Sequence, residues 1–281
     1  MNFLTGSILS AARYLFAIVG INLILCFNVF AGDIVIWGDS QDNYPIQEKM
    51  VQLILSAKPS AIFRVGDMVS NGHDLEQWSQ FKRINKPLLE KFDYFPAFGN
   101  HEAGSPTYFD IFPSLGAQHW YSVDRENIHV IVLDSNLDIK PGSEQYQWLV
   151  TDLQRSKEKA ILTIVLCHHP LFNVGIHMDD EKGLRPILLP LFKQYDVRAV
   201  FSGHDHHYER FEYAGIQFIV TGGGGAGLYP QMRKSPYLKK LRIARHICVL
   251  RPEKHGLLIN IIDIDGNIIE TIKVLSDKQG H

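Results

Sequence analysis

Residues 199–206 read AVFSGHDH, a short apolar run that ends in two histidines and an aspartate. Four other short apolar runs also end in side chains that can bind a cation: IVIW before Gly38-Asp39, AIFRV before Gly66-Asp67, YFPAF before GNHE at 99–102, and ILTIVLC before His168-His169-Pro170. Short apolar runs of this kind are typical of strands that are covered on both faces. Ligands bind beyond the carboxyl ends of the strands of an open α/β sheet, so we expect these five ends to meet at one crevice.

Helical and hairpin patterns lie between and after these runs. Apolar side chains recur at helical spacing behind Pro45, behind Ser143, and from Leu184 to Tyr195, where Pro190 is expected to bend the helix. Residues 120–135 and 256–274 each have two strand-like halves around a polar turn. The sequence therefore predicts an α/β fold with added hairpins.

Composition narrows the function. The chain has 281 residues, of which 46% are hydrophobic, enough for one large domain. Its net charge of -2 gives no basic field for binding nucleic acid, so we expect no nucleic-acid partner. The only cysteines are Cys26, Cys167 and Cys248, and no C-x-x-C pair exists, so a metal would have to be held by oxygen and imidazole ligands.

Residues 1–31 differ from the rest of the chain. Arg13 is followed by an apolar run, and the small residues Val29 and Ala31 occupy the third-last and last positions before a possible cleavage after Ala31. This pattern predicts a signal peptide and a secreted or periplasmic protein. The alternative is an uncleaved membrane anchor, since about 20 apolar residues are enough to span a bilayer. A membrane is expected as a partner only in that second case.

The side chains at the five strand ends suit one chemistry. Two aspartates, one asparagine and three histidines form an oxygen and nitrogen ligand set that fits Zn, Fe or Mn. A carboxylate can bridge two cations, and an asparagine oxygen adds a ligand without adding negative charge. A pair of metal ions stabilises in-line displacement at phosphorus. The ligand set is therefore that of a phosphoester hydrolase.

The same motifs, in the same order, resemble those of the calcineurin-like metallophosphoesterases. Within that superfamily, GHDHHYER at 203–210, WYSVDRENIHVIVLDS at 120–135 and the following EQYQWLVTDL are similar to segments of the purple acid phosphatases. The resemblance covers essentially all of residues 32–281, which we expect to form one domain. It implies a four-layer α/β/β/α sandwich of two mixed β-sheets flanked by helices, with the metals at one edge of the sheets.

The resemblance also implies roles for individual residues. Asp39 and His206 would bind a first metal ion, Asp67 would bridge the pair, and Asn100, His168 and His204 would bind the second. His101 resembles the family's catalytic histidine, which protonates the leaving oxygen or stabilises developing charge. Glu102 is a candidate for orienting it.

Other motif residues have weaker assignments. His177 matches, with a shift of one residue, a histidine that contacts substrate, and a plain loop residue is the alternative. His169 and His207 adjoin ligands without matching a ligand position. For Arg210, packing and ion pairing are favoured over a phosphate contact. TGGGGAG at 221–227 lacks the Gly-Lys-Ser/Thr of a P-loop and is interpreted as a close-approach loop beside the crevice.

Two positions depart from the family pattern. Ser70 stands where purple acid phosphatases have the tyrosine that ligates ferric iron, and where other members have an aspartate that pairs with the catalytic histidine. Gln41 stands where those other members have a histidine. We therefore expect a protein without a tyrosinate-to-iron absorption band, whose first metal is held less tightly than its second.

The resulting function hypothesis is an exported metal-dependent phosphatase. It would hydrolyse a small phosphomonoester substrate by attack of a metal-bound hydroxide at a binuclear site, with His101 assisting the leaving group. A phosphodiesterase acting on nucleotides or lipid head groups is the alternative enzyme. A binding module that keeps its metals only as structural ions is the third hypothesis.

Overall fold

The computed structural model describes residues 32–159 and 161–276. The predicted signal peptide or anchor, residues 1–31, lies outside the described residues. Thirteen strands lie within them: β1 Ile34–Trp37, β2 Ala61–Arg64, β3 Asp93–Pro96, β4 Tyr121–Arg125, β5 Ile128–Val132, β6 Leu162–Leu166, β7 Val197–Ser202, β8 Tyr208–Tyr213, β9 Ile216–Thr221, β10 Leu238–Arg242, β11 His246–Glu253, β12 Gly256–Asp263 and β13 Ile268–Leu275.

Five α-helices and one 3₁₀ helix accompany the described strands. The helices are α1 Tyr44–Ala57, α2 Leu75–Lys91, α3 Pro106–Ile111, α4 Glu144–Lys159 and α5 Arg185–Gln194, and the 3₁₀ helix is Pro113–Leu115. Pro45 lies in the first turn of α1, as its fixed φ angle favours. Asp74 begins α2, and its carboxylate accepts hydrogen bonds from the backbone N–H groups of Glu76 and Gln77.

The strands form two mixed sheets. The first sheet has six strands in the order β13-β12-β11-β1-β2-β3, and the second has seven in the order β10-β8-β9-β7-β6-β5-β4. Strands β1, β2 and β3 are parallel to one another. So are β5, β6, β7 and β9. Each sheet thus brings the carboxyl ends of several strands to one edge, which is where the motif residues follow.

The alternation of side chains along the strands produces four layers. Ile34 and Ile36 of β1 face the second sheet, where they join a core with side chains of β5 and β6. Val35 and Trp37 point the other way and pack against α1 and α2. The outer face of the second sheet packs in the same manner against α4 and α5. The predicted α/β/β/α sandwich is confirmed.

Polar side chains connect the two sheets at the expected YER segment. The Tyr208 hydroxyl donates to one oxygen of Glu270 at 2.6 Å, and Arg210 Nη2 donates to the other at 2.6 Å. Tyr208 and Arg210 belong to the second sheet and Glu270 to the first. Packing and ion pairing, rather than a phosphate contact, is therefore what Arg210 contributes in this structure.

The two cysteines among the described residues are core residues. Cys167 and Cys248 are buried and unpaired. Burial raises the pKa of the Cys167 thiol to about 11, as expected for a core residue rather than a nucleophile.

Among residues 32–159 and 161–276, no helix combines the length and apolar character that a membrane span requires.

The buried side chain of His129, on β5, connects the second sheet to helix α4 through hydrogen bonds to carboxylates. Its Nδ1 lies 2.5 Å from Asp124 Oδ1, and its Nε2 lies 2.8 Å from Asp152 Oδ2 of α4. Burial alone would lower the pKa of His129, but the hydrogen bonds to the two carboxylates outweigh it and raise the pKa.

Replacing His129 with asparagine is expected to weaken the pH dependence of stability. The unfolded imidazole titrates near pH ~6.5. Because the folded pKa is higher, the stabilisation is fully present below that pH and is lost as the pH rises through the folded pKa. In urea unfolding at several pH values from about 5.5 to 9, the free energy of unfolding of the wild type should exceed that of the variant, by a difference that shrinks with rising pH. The exposed His255→Asn variant is the control and should show no such difference. A difference that grows with pH would contradict the assignment.

Candidate metal centre

The predicted ligands converge at the edge where the two sheets meet. Asp39, Asp67 and Asn100 follow β1, β2 and β3, and the three histidines His168, His204 and His206 follow β6 and β7. The backbone N–H of His204 donates to Asp39 Oδ1 at 2.8 Å. This contact connects the end of β7 in the second sheet directly to the end of β1 in the first.

Three of these residues have unusual backbone conformations. The φ angles of Asp39, Asp67 and His204 are 57°, 50° and 71°, in the left-handed region that residues with a side chain seldom adopt. Such a conformation costs about 1 kcal/mol or more and persists only where the surroundings impose it. Its occurrence at three strand ends indicates that these turns are constrained to direct particular side chains into the crevice.

Two glycines allow the carboxylates to lie against the backbone. A Cβ atom on Gly99 would overlap Asp67 Oδ1, and one on Gly203 would overlap Asp39 Oδ2. Any larger residue at either position would displace the carboxylate. The first positions of the GNHE and GHDH motifs therefore require glycine because a side chain would collide with a carboxylate, in addition to any requirement of the turns.

His168 presents a lone pair to the crevice. Its Nδ1 lies 2.8 Å from the Val65 carbonyl oxygen, which can only accept, so Nδ1 carries the proton. The opposite nitrogen, Nε2, then faces Asn100 Oδ1 at 2.8 Å and Asp67 Oδ2 at 3.4 Å. Three acceptor atoms meet there, which is stable only with a cation or an added proton between them. Burial would lower the pKa of His168, but the Asp67 carboxylate raises it to about 10.

His206 and Asp39 repeat this arrangement. His206 Nδ1 donates to the Gly227 carbonyl at 2.8 Å, so its Nε2 lone pair faces Asp39 Oδ1 at 3.7 Å. Asp39 Oδ2 is buried and has no hydrogen-bond partner among the described residues. Burial raises the pKa of Asp39 well above its ordinary value. A buried carboxylate oxygen beside an imidazole lone pair is costly unless a cation binds both.

Two groups of ligand atoms emerge from these contacts. Asp39, Asp67 and His206 each offer one atom within 4.8 Å of the others, and so do His168, His169 and His204. Asn100 lies beside the second group through His168. Oxygen and imidazole donors fit borderline ions such as Zn, Fe or Mn, and the unpartnered acceptors provide the places for them. The residues present therefore fit the metal that the sequence predicts.

His101 lies at the open side of the centre. Its Nδ1 is 2.6 Å from the Ser70 carbonyl oxygen, so Nδ1 carries the proton and Nε2 is free to exchange one. Nε2 lies 3.7 Å from Asp67 Oδ2, and the side chain is 36% exposed. The backbone of Ser70 thus holds the ring, whereas the resemblance provides for a side-chain carboxylate at position 70.

Glu102 does not orient His101. Its buried carboxylate accepts hydrogen bonds from four backbone N–H groups, those of Asp67, Met68, Val69 and Gly99. These amides belong to the loops that follow β2 and β3. Burial raises the pKa of Glu102 to about 7, and the four donors favour its ionised form. Glu102 therefore fixes the loop that carries Asp67.

Replacing Glu102 with glutamine is expected to destabilise the protein by about 3 kcal/mol, because the new amide group turns a donor toward two backbone donors. The midpoint and slope of urea unfolding measure this loss. Glu90→Gln, on the exposed face of α2, is the matched control and should change stability by less than about 0.5 kcal/mol. An equal effect of both variants would contradict the role assigned to Glu102.

The glycine run at 221–227 lies against the end of β1. The N–H of Gly224 donates to the Gly38 carbonyl at 2.9 Å, and that of Ala226 donates to the Asp39 carbonyl at 2.9 Å. These two amides are therefore used within the protein and are not directed at an anion. The run is the close-approach loop that the sequence predicts.

Aromatic rings cover two of the predicted histidine ligands. The His177 ring stacks on His204 with centroids 3.6 Å apart, and its Nδ1 lies 3.1 Å from Asp205 Oδ1. The Tyr229 ring stacks on His206 at 4.0 Å. His177 therefore lies beside the centre, and its contact with substrate stays a prediction.

Two residues that the motif assignments leave out also reach the centre. The His169 ring is tilted by 56° against the His204 ring, with centroids 4.6 Å apart, and its Nδ1 is hydrogen-bonded to the Ser135 hydroxyl at 2.8 Å. Glu181 Oε2 lies 3.3 Å from His204 Nε2. His169 carries a signal in the sequence, since it adjoins His168. Glu181 lies in an acidic run, DDE at 179–181, whose approach to His204 depends on the path of the loop.

Comparison with known proteins agrees with this geometry. A family model for calcineurin-like phosphoesterases matches residues 32–208, well over half of the chain. The chain belongs to the calcineurin-like phosphoesterase family. Within this family it is 31% identical over 180 residues to purple acid phosphatase 1 of Ipomoea batatas, covering 56% of this chain and 38% of that protein. It thus spans well under half the length of that curated relative.

Solved structures of calcineurin-like phosphoesterase fold show the same architecture. Purple acid phosphatase PPD1 from yellow lupin, Lupinus luteus, superimposes with a TM-score of 0.74 at 20% identity, over 89% of this chain and 55% of that chain. GAP50, described as the anchor in the inner membrane complex of Plasmodium, superimposes with a TM-score of 0.72 at 18% identity, over 88% and 90% of the two chains. At these identities the likeness shows the fold.

Proposed function

We propose that this protein is a metal-dependent phosphatase that hydrolyses phosphomonoesters. The observation that carries the proposal is the meeting of acceptor atoms, the unpartnered Asp39 Oδ2 and the Nε2 atoms of His168 and His206, beside His101, whose own Nε2 is free. A structural metal site needs only the acceptor atoms. A free imidazole nitrogen serves to protonate a leaving group, because an alkoxide departs readily only when it is protonated.

The residues divide into two ligand groups on this proposal. Asp39, Asp67 and His206 would hold one ion, and Asn100, His168 and His204 the other, with Asp67 between them and His169 at the edge of the second group. Two such ions, when bound, acidify a water molecule and neutralise the charge on phosphate oxygens. The ions are of Fe, Mn or Zn type, as the donor set favours.

The chain's own residues orient and protonate the substrate. The Ser70 carbonyl holds His101 Nδ1, so the ring can carry a second proton on Nε2 and donate it to the leaving oxygen. His177 is half-buried beside His204, and its Nδ1 donates to Asp205 Oδ1. Its Nε2 would donate to a phosphate oxygen only when both ring nitrogens carry a proton. Asp67 keeps both ligand groups at a fixed separation.

A substrate panel tests the proposal. Purified protein would be supplied separately with Mn, Zn or Fe and assayed at several pH values on aryl and alkyl phosphomonoesters and on bis-aryl phosphodiesters. Release of phosphate from monoesters, at higher kcat/KM than any diester, is the expected result. Higher kcat/KM on diesters would assign a phosphodiesterase instead. Inactivity on every ester, with unfolding of the His204→Ala variant, would assign a binding module.

We further propose that the protein is exported, with residues 1–31 as its signal peptide. The pattern around Arg13, the apolar run and Ala31 support this. Amino-terminal sequencing of the protein recovered from its own host is expected to begin at Gly32. An intact amino terminus in the membrane fraction would favour the anchor.

A further inference from the structure

Four exposed apolar side chains occur beside the metal centre, on the two segments that cover its histidines. They are Ile176, Met178, Leu228 and Met232, with exposed fractions of 42%, 68%, 36% and 62%. We call these four residues the apolar rim. Large exposed hydrophobic side chains that cluster next to a candidate active site indicate a contact surface for a ligand.

The first segment is attached to the ligand loop by its backbone. The N–H of Ile176 donates to Asp205 Oδ1 at 3.0 Å, and Asp205 lies between the ligands His204 and His206. His177, whose ring stacks on His204, separates Ile176 from Met178. Both exposed side chains are therefore direct sequence neighbours of a residue that contacts a ligand.

The second segment is attached in the same way. Leu228 follows Gly227, whose carbonyl accepts from His206 Nδ1, and precedes Tyr229, whose ring stacks on His206. Met232 is bound to the first segment, because its N–H donates to the Val174 carbonyl at 2.8 Å.

Arg233 fixes the two segments to each other. Its Nη1 donates to Asn173 Oδ1 at 3.0 Å and to the His177 carbonyl. Its N–H donates to the Val174 carbonyl at 3.1 Å. The rim is thus held by the same hydrogen bonds that position His177, on the two segments whose rings cover His204 and His206.

We infer that the apolar rim binds the leaving group of the substrate, which is therefore a soluble phosphomonoester with an alkyl or aryl body. This inference rests on the proposed function and names its substrate class. The two ligand groups, with their ions bound, would hold the phosphate, and exposed apolar side chains beside them suit the carbon part of the ester.

An alkyl series measures the contribution of the rim. The kcat/KM for ethyl, butyl, hexyl and octyl phosphate, below their micelle concentrations, is expected to rise about sixteenfold from butyl to octyl, which is about twofold for each of the four partly buried methylenes. In the double variant Met178→Ser/Met232→Ser the rise from butyl to octyl should fall to about twofold or less. Both methionines are largely exposed, so the change leaves no cavity.

The control is the pair Ile268→Ser/Leu275→Ser on β13, whose side chains are 53% and 58% exposed. This variant should keep the full chain-length dependence. Binding of ethylphosphonate and octylphosphonate by calorimetry gives a second readout that needs no turnover. If no ester is hydrolysed but octylphosphonate still binds more tightly than ethylphosphonate, the proposed function fails and the rim assignment stands.

Three outcomes would overturn the inference. The first is hydrolysis of all four esters with equal kcat/KM, and the second is a chain-length dependence that the rim variant retains. The third is sedimentation of the wild-type protein with phosphatidylcholine vesicles that the rim variant loses, since the rim would then contact a membrane surface and not a soluble leaving group.

Discussion

Replacing Asp67 with asparagine is expected to reduce phosphatase activity by about a thousandfold or more and to lower the metal content to about half or below. Loss of a residue behind a ligand costs about 10- to 100-fold in metal affinity or activity, and Asp67 is proposed as a ligand itself. Burial would raise the pKa of Asp67, but His168 and His101 lower it to about 2, so its charge is present at all working pH values. The asparagine keeps the shape and removes that charge.

The matched control is Asp33→Asn. Asp33 is as buried as Asp67, at 1% exposure, but pairs with Arg251 at the start of β1. It should keep metal and activity even where thermal unfolding shows lower stability. Metal content would be measured by mass spectrometry of the dialysed proteins. Full metal content in the Asp67 variant, with activity within about tenfold of wild type, would remove Asp67 from the centre.

The convergence of the five strand ends could be predicted because two local rules act together. Short apolar runs predict buried strands, and parallel strands place their carboxyl ends at one edge. Asp39, Asp67 and His204 therefore reach the same crevice although they lie far apart in the sequence. Helix α2 is not among the predicted elements, although its apolar residues Trp78, Phe81 and Ile84 carry helical spacing and Pro87 interrupts the pattern near its end.

The contacts that hold the site residues in place could not be predicted from side-chain types. The partner of His101 is a backbone carbonyl, that of Ser70, and every residue has one. The partners of Glu102 are four amides of two loops, one of which lies more than 30 residues away. The path of residues 173–184 decides which acidic side chain approaches His204. Contacts of this kind depend on tertiary geometry, whereas motif spacing reports only which residues leave a strand.

The position of Ser70 shows how a missing side chain is compensated. Family members with an aspartate there use a carboxylate to hold the catalytic histidine, and here a carbonyl oxygen at 2.6 Å does so without adding charge. The carbonyl oxygen can only accept, so it keeps a proton on Nδ1 of His101 and leaves Nε2 beside Asp67 Oδ2, at 3.7 Å.

Replacing His101 with asparagine is expected to lower kcat on alkyl phosphates by about 10²- to 10⁴-fold, the range for loss of a general acid. Asparagine can still donate to the Ser70 carbonyl from its amide nitrogen, but it has no group in place of Nε2. The loss on 4-nitrophenyl phosphate should be only about tenfold, because its leaving group departs without a proton. A role in binding alone would lower both rates equally.

The exposed His73→Asn variant is the control for His101, since it lies on the neighbouring loop, where the Gly72 N–H donates to the His101 carbonyl, and it should leave both rates unchanged. Metal content must stay at the wild-type value in both variants, because His101 donates only its backbone N–H to Asp67 Oδ1, at 3.2 Å, and asparagine retains that group. Equal losses on the alkyl and the nitrophenyl ester, with metal retained, would show that His101 binds phosphate and is not the proton donor. A general acid in this centre has to make the rate depend on the leaving group, because only the departing oxygen receives its proton.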